Sequence, residues 1–252
     1  MKRALLAILF AVSACVGSMG PTGPLGPTGE QGNDGPQGAK GDAGRDGTLV
    51  DPVDHMVDVM SPYEEAVLLI HCEVQNADGE WEYIRGSGIK LEDGRYMTAA
   101  HVAAGPNTRK CIIYDTYNTN VSTWFGPENI AVQPNQDIAI ASGFKWQGDA
   151  AKIIGAPIDR NYHVRVGEPV GLMSFPHSLT EFVVYTFGRV AFEGQTKGGW
   201  EQFGTDLVLF QGSSGGPAFN AAGNVIGVAA ANYPDFNFDI TYVQALREEE
   251  VL

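Results

Sequence analysis

The chain has 252 residues, 44% of them hydrophobic and 18% charged, with a formal net charge of -14. Such acidity argues against a nucleic-acid-binding role and against attraction to an anionic lipid surface, because both need clustered Lys and Arg. The three cysteines, Cys15, Cys72 and Cys111, are too few for a disulfide scaffold, though they permit one bridge, Cys72 to Cys111, if the protein leaves the cytoplasm.

The amino end reads as a targeting segment. Lys2 and Arg3 precede a short apolar run from Ala4 to Val12, and Ser13 and Ala14 follow. Residues 1–14 are therefore expected to be a secretion signal rather than a structural helix. Val12-Ser13-Ala14-Cys15 resembles a bacterial lipobox, in which Cys15 is lipidated and becomes the first mature residue. Simple secretion, with Cys15 in a discarded or frayed end, is the alternative. Either reading predicts an extracytoplasmic protein, an envelope lipoprotein or a secreted one. No later segment carries the uncharged apolar run of a membrane span, so contact with a membrane is expected only through the lipid anchor.

From Gly17 to Gly47 glycine recurs at every third position without a break. Strict Gly-X-Y is the collagen signature, because only glycine fits at the axis of three wound chains. Pro21, Pro24, Pro27 and Pro36 all sit in the X position, and none sits in Y. Lys40-Gly41-Asp42 resembles the interchain ion-pair motif of bacterial collagen-like proteins. A triple helix of this length would be marginal and span roughly 90 Å. A homotrimeric stalk through residues 17–47 is preferred over a flexible Gly/Pro linker, which has no need of regular spacing. Residues 48–61 read as a short acidic connector.

The globular domain is expected over residues 62–252. Short apolar runs alternate there with turn residues: Val67-Leu68-Leu69-Ile70, Cys111-Ile112-Ile113-Tyr114, Ile138-Ala139-Ile140 and Val225-Ile226-Gly227-Val228. Many short strands at near-regular spacing predict an all-β barrel or sandwich. The one clear helical pattern lies at the end, around Tyr242 to Glu250.

Three motifs carry chemistry. Gly212-Ser213-Ser214-Gly215-Gly216-Pro217 surrounds a serine with glycines that let the backbone turn and aim two amides, those of Gly212 and Ser214, at one spot. A serine hydroxyl needs such donors and a base beside it to act as a nucleophile. A glycine-rich turn with incidental serines is the plainer reading of that motif alone. Thr98-Ala99-Ala100-His101-Val102 places a histidine among small residues, where its imidazole can face a cleft. Asn135-Gln136-Asp137-Ile138-Ala139-Ile140 opens an apolar strand with an aspartate, and a partly buried carboxylate suits a histidine N–H. By itself that aspartate is more often a turn cap. The order His101, Asp137, Ser214 is that of the chymotrypsin-type arrangement and differs from the subtilisin and α/β-hydrolase orders.

On these motifs the chain resembles the trypsin-like, chymotrypsin-fold serine peptidases, nearer to the bacterial HtrA-type branch than to digestive trypsins. Thr205-Asp206 stands upstream of Ser214 where HtrA-type proteases also carry a Thr-Asp pair. Val166-Gly167-Glu168-Pro169-Val170 resembles a strand of their second barrel, and Gly223-Asn224-Val225-Ile226-Gly227 the strand after the serine. The resemblance covers about residues 62 to 245. It implies two six-stranded antiparallel β-barrels with a cleft between them, here followed by a short C-terminal helix and without a PDZ domain. It implies a catalytic triad of His101, Asp137 and Ser214, an oxyanion hole of the Gly212 and Ser214 amides, and a protein or peptide substrate with no cofactor or metal. Two departures stand out. Ser213 occupies the place usually held by Asp or Asn, and Val102 replaces the cysteine beside the histidine. In the family the base of the primary pocket lies six residues before the nucleophile, at Val208, which implies small or apolar side chains before the cleaved bond.

The resemblance also puts Cys72 and Cys111 on strands that neighbour each other in the first barrel, where they form either a disulfide or two buried thiols. His55, His71, His163 and His177 have no metal-ligand spacing and are expected to be structural or exposed. An exported serine endopeptidase is the function expected. A surface binding or adhesion protein that displays a protease-fold head on a trimeric stalk is the alternative.

Overall fold

In the computed structural model the residues described are Gly26, 51–115, 120–133, 136–159, 162–177, Leu179, 182–195, 201–233 and 240–245. The segment expected to be an export signal, Cys15 and the Gly-X-Y repeat, Gly26 apart, lie outside them. The chain divides into two compact units, Met1–Gly47 and Thr48–Leu252, and the second carries all that follows.

The second unit opens with helix α1, Pro52–Met60. Asp51 caps it by accepting from the Val53 N–H at 2.8 Å, and Pro52 sits in the first turn, where its missing N–H costs nothing. Met56 and Met60, one turn apart, are fully buried. Each contributes roughly 1.5–3 kcal/mol by leaving water. Within the stretch expected to be a connector over 48–61, residues 52–60 therefore form a helix packed on the core. The Met56–Met60 spacing behind an Asp-Pro start is the signal that carries it.

Seven strands build the first sheet: β1 Val67–Gln75, β2 Trp81–Lys90, β3 Tyr96–Ala99, β4 Thr108–Asp115, β5 Asn120–Phe125, β6 Ile130–Val132 and β7 Ile138–Ala141. Their spatial order is β5-β4-β1-β2-β3-β7-β6, with every pairing antiparallel. Six more, β8 Pro169–Ser174, β9 Val184–Gln195, β10 Glu201–Thr205, β11 Pro217–Phe219, β12 Val225–Tyr233 and β13 Ile240–Ala245, close into a barrel in the order β10-β13-β12-β11-β8-β9. The first sheet has seven strands where six were expected, because the three-residue β6 adds an edge beside β7.

The expected C-terminal helix is not formed over its first four residues. Tyr242, Val243, Gln244 and Ala245 lie in β13, which pairs with both β10 and β12, and Val243 is fully buried in the barrel. Residues 246–252 fall outside the described residues.

Three apolar clusters follow from this topology. Leu68, Ile70, Cys72, Tyr96, Phe125 and Ala139 fill one side of the first sheet. Val170, Leu172, Phe203, Ala218, Ile226 and Val243 fill the closed barrel. A third cluster joins the two sheets, with Val67, Leu69, Ile89, Met97 and Ile140 from one and Met173, Phe219, Val225 and Val228 from the other. This explains the unbroken apolar run at the start of β1: Leu68 and Ile70 point into one cluster and Val67 and Leu69 into the other, so both faces are dry. The candidate site residues stand where the two sheets meet.

Candidate active site

The sequence places His101 on the one-turn helix α2, Ala100–Ala103, which directly follows β3. Asp137 directly precedes β7. These two strands are antiparallel neighbours whose register ends at Ala99 opposite Ile138, so His101 and Asp137 emerge side by side. The Ala100 N–H donates to the Asp137 carbonyl at 3.1 Å. Asp137 Oδ1 accepts the backbone N–H of His101 at 2.8 Å, and Oδ2 stands 2.6 Å from His101 Nδ1. With one carboxylate gripping both backbone and ring, Nε2 of the half-exposed imidazole has no hydrogen-bond partner among the described residues. Val102 and Ala103 are buried and hold the helix down.

Ser214 lies in the loop between β10 and β11, and that loop is tied to β2. The Ser87 N–H donates to the Ser214 carbonyl at 2.8 Å. The Ser87 hydroxyl donates to the Gly212 carbonyl at 2.8 Å and accepts from the Phe175 N–H at 2.8 Å. Thr98 Oγ1 in turn donates to the Ser87 carbonyl at 2.6 Å. Every polar atom of this fully buried serine is thus paired. Gly215, with φ +83°, is beyond the reach of other residues here: a Cβ would stand 2.2 Å from Thr98 Oγ1 and 2.3 Å from the Ser87 carbonyl. The same added Cβ would stand 2.8 Å from the amide of Ala99, two residues before His101, so the serine loop is pressed against the strand end that carries the histidine. Among the described residues the Ser214 hydroxyl makes no hydrogen bond to His101.

The amides at Ser214 follow from the same bonds. The Gln211 carbonyl accepts from the His177 N–H at 2.7 Å, and the Ser213 carbonyl accepts from the Gly216 N–H at 2.9 Å. In a trans peptide the N–H points opposite to its carbonyl. The N–H groups of Gly212 and Ser214 therefore face away from those partners, and among the described residues neither donates to another protein group. Gly212, with φ +95°, makes the turn between them.

Ser213 is buried. Its hydroxyl accepts from Ser174 Oγ at 2.9 Å, and its N–H donates to the Phe210 carbonyl at 3.0 Å. Val208 is 54% exposed while its neighbour Leu207 is buried, and Phe210 is 49% exposed. Asp206 accepts from the Arg189 N–H, which ties the Thr205-Asp206 pair to β9. Cys72 and Cys111 are directly opposed in β1 and β4 and are joined by a disulfide. Among the described residues no cluster of three or more His, Cys, Asp or Glu is placed to hold a metal ion, and no helix is long and apolar enough to cross a membrane.

Sequence reasoning missed Ser87 and Ser174. The only signal for Ser87 is its position in Gly86-Ser87-Gly88, where the flanking glycines let other groups approach: a Cβ on Gly86 would meet Val102 at 2.7 Å and the Ser214 carbonyl at 2.9 Å. Ser174 ends an apolar strand and carries no signal of its own.

The family model for the trypsin-like peptidase domain matches residues 86–228. A probable periplasmic serine endoprotease, DegP-like, of Brucella suis is 29% identical over 151 residues, covering 58% of this chain and 27% of that protein. The putative serine protease HhoA of Synechocystis sp. is 29% identical over 158 residues, covering 58% of this chain and 36% of that protein. The chain thus spans about a quarter to a third of the length of these curated relatives. Among solved structures, the HtrA-type protease AlgW with a tripeptide superposes with a TM-score of 0.58 at 19% identity, covering 75% of this chain and 59% of that one. The M. tuberculosis protease Rv3671c in its active form gives a TM-score of 0.60 at 20% identity over 80% of this chain and 84% of that one. These structural likenesses are ones of fold. The family model is one of sequence, it takes in more than half of the chain, and it runs from the strand of Ser87 past the loop of Ser214: this chain belongs to the trypsin-like peptidase domain family.

Proposed function

We propose that the protein is an exported serine endopeptidase that cleaves protein or peptide substrates with His101, Asp137 and Ser214. The observation that carries this reading is the double grip of Asp137 on His101, through the backbone N–H at 2.8 Å and Nδ1 at 2.6 Å. That grip fixes the ring so that Nε2 is free to act as the base. Ser214 Oγ attacks the carbonyl carbon of the scissile bond, and Nε2 takes the hydroxyl proton. The resulting oxyanion accepts hydrogen bonds from the Gly212 and Ser214 amides. Removing one such donor typically costs about 10²–10³ in rate. The carbon–nitrogen bond then breaks, the histidine hands its proton to the departing amine, and an acyl ester remains on Ser214. Water attacks that ester and gives its proton to His101, the acyl–oxygen bond breaks to release the carboxylic acid product, and His101 passes the proton to Ser214 Oγ, which restores the serine.

Val208 and the exposed Phe210 support a preference for small or apolar side chains before the cleaved bond. Cleavage after Lys or Arg in a peptide library would overturn that preference. Residues 1–14 act as the export signal, and Cys15 is the lipidation site of an envelope protein. Residues 17–47 form a trimeric stalk. The periplasmic designation of the Brucella suis relative supports the extracytoplasmic placement.

The deciding experiment is labelling of the purified protein with a fluorophosphonate probe beside Ser214→Ala and Ser213→Ala. Labelling lost only in Ser214→Ala is the expected result. Absence of labelling in the folded wild type would sink the enzymatic reading.

A further inference from the structure

β2 passes the nucleophile loop at Ser87 and then carries one face outward. The register pairs Leu69 with Ser87, His71 with Arg85, Glu73 with Tyr83 and Gln75 with Trp81. Odd-numbered residues of β2 therefore share a face. Ser87 is buried against the Ser214 loop, whereas Arg85 is exposed, Tyr83 is 60% exposed and Trp81 is 51% exposed. At a rise of ~3.3 Å per residue these three stand about 7, 13 and 20 Å beyond Ser87.

The neighbouring strand adds charge to this face. β4 places Lys110 opposite Glu73, and the bulge beside Val74 turns Arg109 to the same side. Lys110 Nζ and Arg109 Nη1 stand 3.2 and 3.6 Å from the Glu73 carboxylate, and the Arg109 guanidinium lies 5.5 Å over the Trp81 ring. Glu73 also accepts from the Tyr83 hydroxyl at 3.1 Å. Three cations, Arg85, Arg109 and Lys110, thus share this face with one carboxylate, Glu73, which is already taken up by Arg109, Lys110 and Tyr83, in a chain whose net charge is -14. Arg85 has no carboxylate partner among the described residues.

We propose that this face is an exosite for acidic side chains of the polypeptide substrate, on the leaving-group side of the scissile bond. The proposal rests on the serine-peptidase reading above. The strand reaches the site beside the histidine that protonates the departing amine, since Gly86 is packed against Val102, the residue after His101. An extended substrate leaving the site along β2 meets Arg85 about two residues past the cleaved bond and the Tyr83–Trp81 surface about four to six residues past it. The guanidinium of Arg85 takes a carboxylate. The exposed rings cover the apolar parts of the segment, and Arg109, stacked on Trp81, supplies positive potential at the far end.

The test uses the full chain carrying Ser214→Ala, so that binding is read without turnover. Fluorescein-labelled decapeptides with Glu at the second and fourth positions after the cleavable bond are compared with their Gln counterparts by anisotropy. The Glu peptide is expected to bind about fivefold more tightly, as an exposed pair allows. The difference should shrink between 50 and 500 mM NaCl as screening shortens. Arg85→Gln should remove the preference, and Arg85→Glu should turn it towards Lys peptides. Equal binding of Glu and Gln peptides, with the wild-type chain reacting with fluorophosphonate at Ser214, would overturn the exosite alone. A Glu preference, with the wild-type chain unreactive at Ser214, would keep the exosite as a docking face and overturn hydrolysis. Phosphatidylglycerol vesicles bound in an Arg85-dependent manner, without any Glu preference, would overturn the proposal in favour of a lipid surface.

Discussion

The Ser87 hydroxyl donates to the Gly212 carbonyl at 2.8 Å, and this bond ties a strand of the first sheet to the loop that carries Ser214. The same oxygen accepts from the Phe175 N–H. Ser87→Ala would leave two buried polar groups unpaired, at roughly 1–3 kcal/mol each. It would also release the Gly212 carbonyl, whose position orients the peptide that precedes Ser213. The expected outcome is a lower Tm together with fluorophosphonate labelling slowed by about tenfold or more, given the rates lost when one oxyanion donor is misplaced. Ser174→Ala is the control. It removes the 2.9 Å bond to Ser213 Oγ, leaves the Gly212 carbonyl bonded, and should lower Tm with a smaller loss of rate. Equal losses of rate in the two variants would refute the role given to Ser87.

Asp137→Asn tests the grip on His101. An amide can still accept the His101 backbone N–H, so the short helix α2 stays in place. What changes is the partner of Nδ1. A carboxylate requires a proton on Nδ1, which leaves Nε2 bare and basic, whereas an amide nitrogen favours the opposite tautomer. Labelling of Ser214 should fall about 10⁴-fold with little change in Tm. A variant that labels at the wild-type rate would remove Asp137 from the triad.

How much of this was legible in the sequence depended on whether chemistry or tertiary packing fixed a residue. The placement of His101 beside Asp137, and of Ser214 in a glycine-rich loop tied to the same sheet, was readable because the chemistry expected of such residues restricts their type, the fold family restricts their order, and the small residues around them are what close backbone approach demands. Asp137 alone carried almost no signal, and only its order between the other two did. Ser87 was not readable, since its role arises from a contact across 125 positions of sequence. The stretch at Tyr242–Ala245 looked helical because Val243 and the residues after it fit a helical period. The two neighbouring strands, β10 and β12, override that local preference by pairing with it on both sides. The helix at Pro52–Met60 was hidden by its acidic surface, with Met56 and Met60 as its only fully buried positions.

Cys72 and Cys111 could have been a bridge or two thiols on sequence grounds, and the register of β1 against β4 sets them face to face. They lie 39 residues apart, and closing a loop of that length in the unfolded chain stabilises the fold by about 4 kcal/mol in the chain-entropy model. Dithiothreitol should lower Tm by about 10 °C for a domain of this size. The Cys72→Ala, Cys111→Ala double variant should melt at the reduced temperature and ignore the reductant. A wild-type Tm that does not respond to dithiothreitol under unfolding conditions would argue against a stabilising bridge.

His71 predicts how stability follows pH. It lies on β1 opposite Arg85, between the rings of Tyr114 at 4.8 Å and Tyr83 at 6.5 Å, and its buried Nε2 has no hydrogen-bond partner among the described residues. Burial, then the charges of Arg85 and His177, hold its pKa down to about 4, against 6.5 for a free imidazole. Between those two values the unfolded chain binds a proton that the folded chain refuses. Stability contributed here is complete above about pH 6.5 and is lost as pH falls towards 4. The full shift would correspond to about 3 kcal/mol, and the partial solvent access of the ring reduces this to roughly 1–2 kcal/mol. His71→Phe keeps an aromatic ring beside Tyr114 and cannot take the proton. Its Tm relative to wild type should therefore rise steadily as pH is lowered from 6.5 to 4.5 and stay flat between 6.5 and 8. The carboxylates that titrate in the same range cancel in that difference. A difference independent of pH would mean that His71 is protonated in the folded protein as readily as in the unfolded chain, and that the charge of Arg85 is felt by solvent rather than by the imidazole across the strand pair.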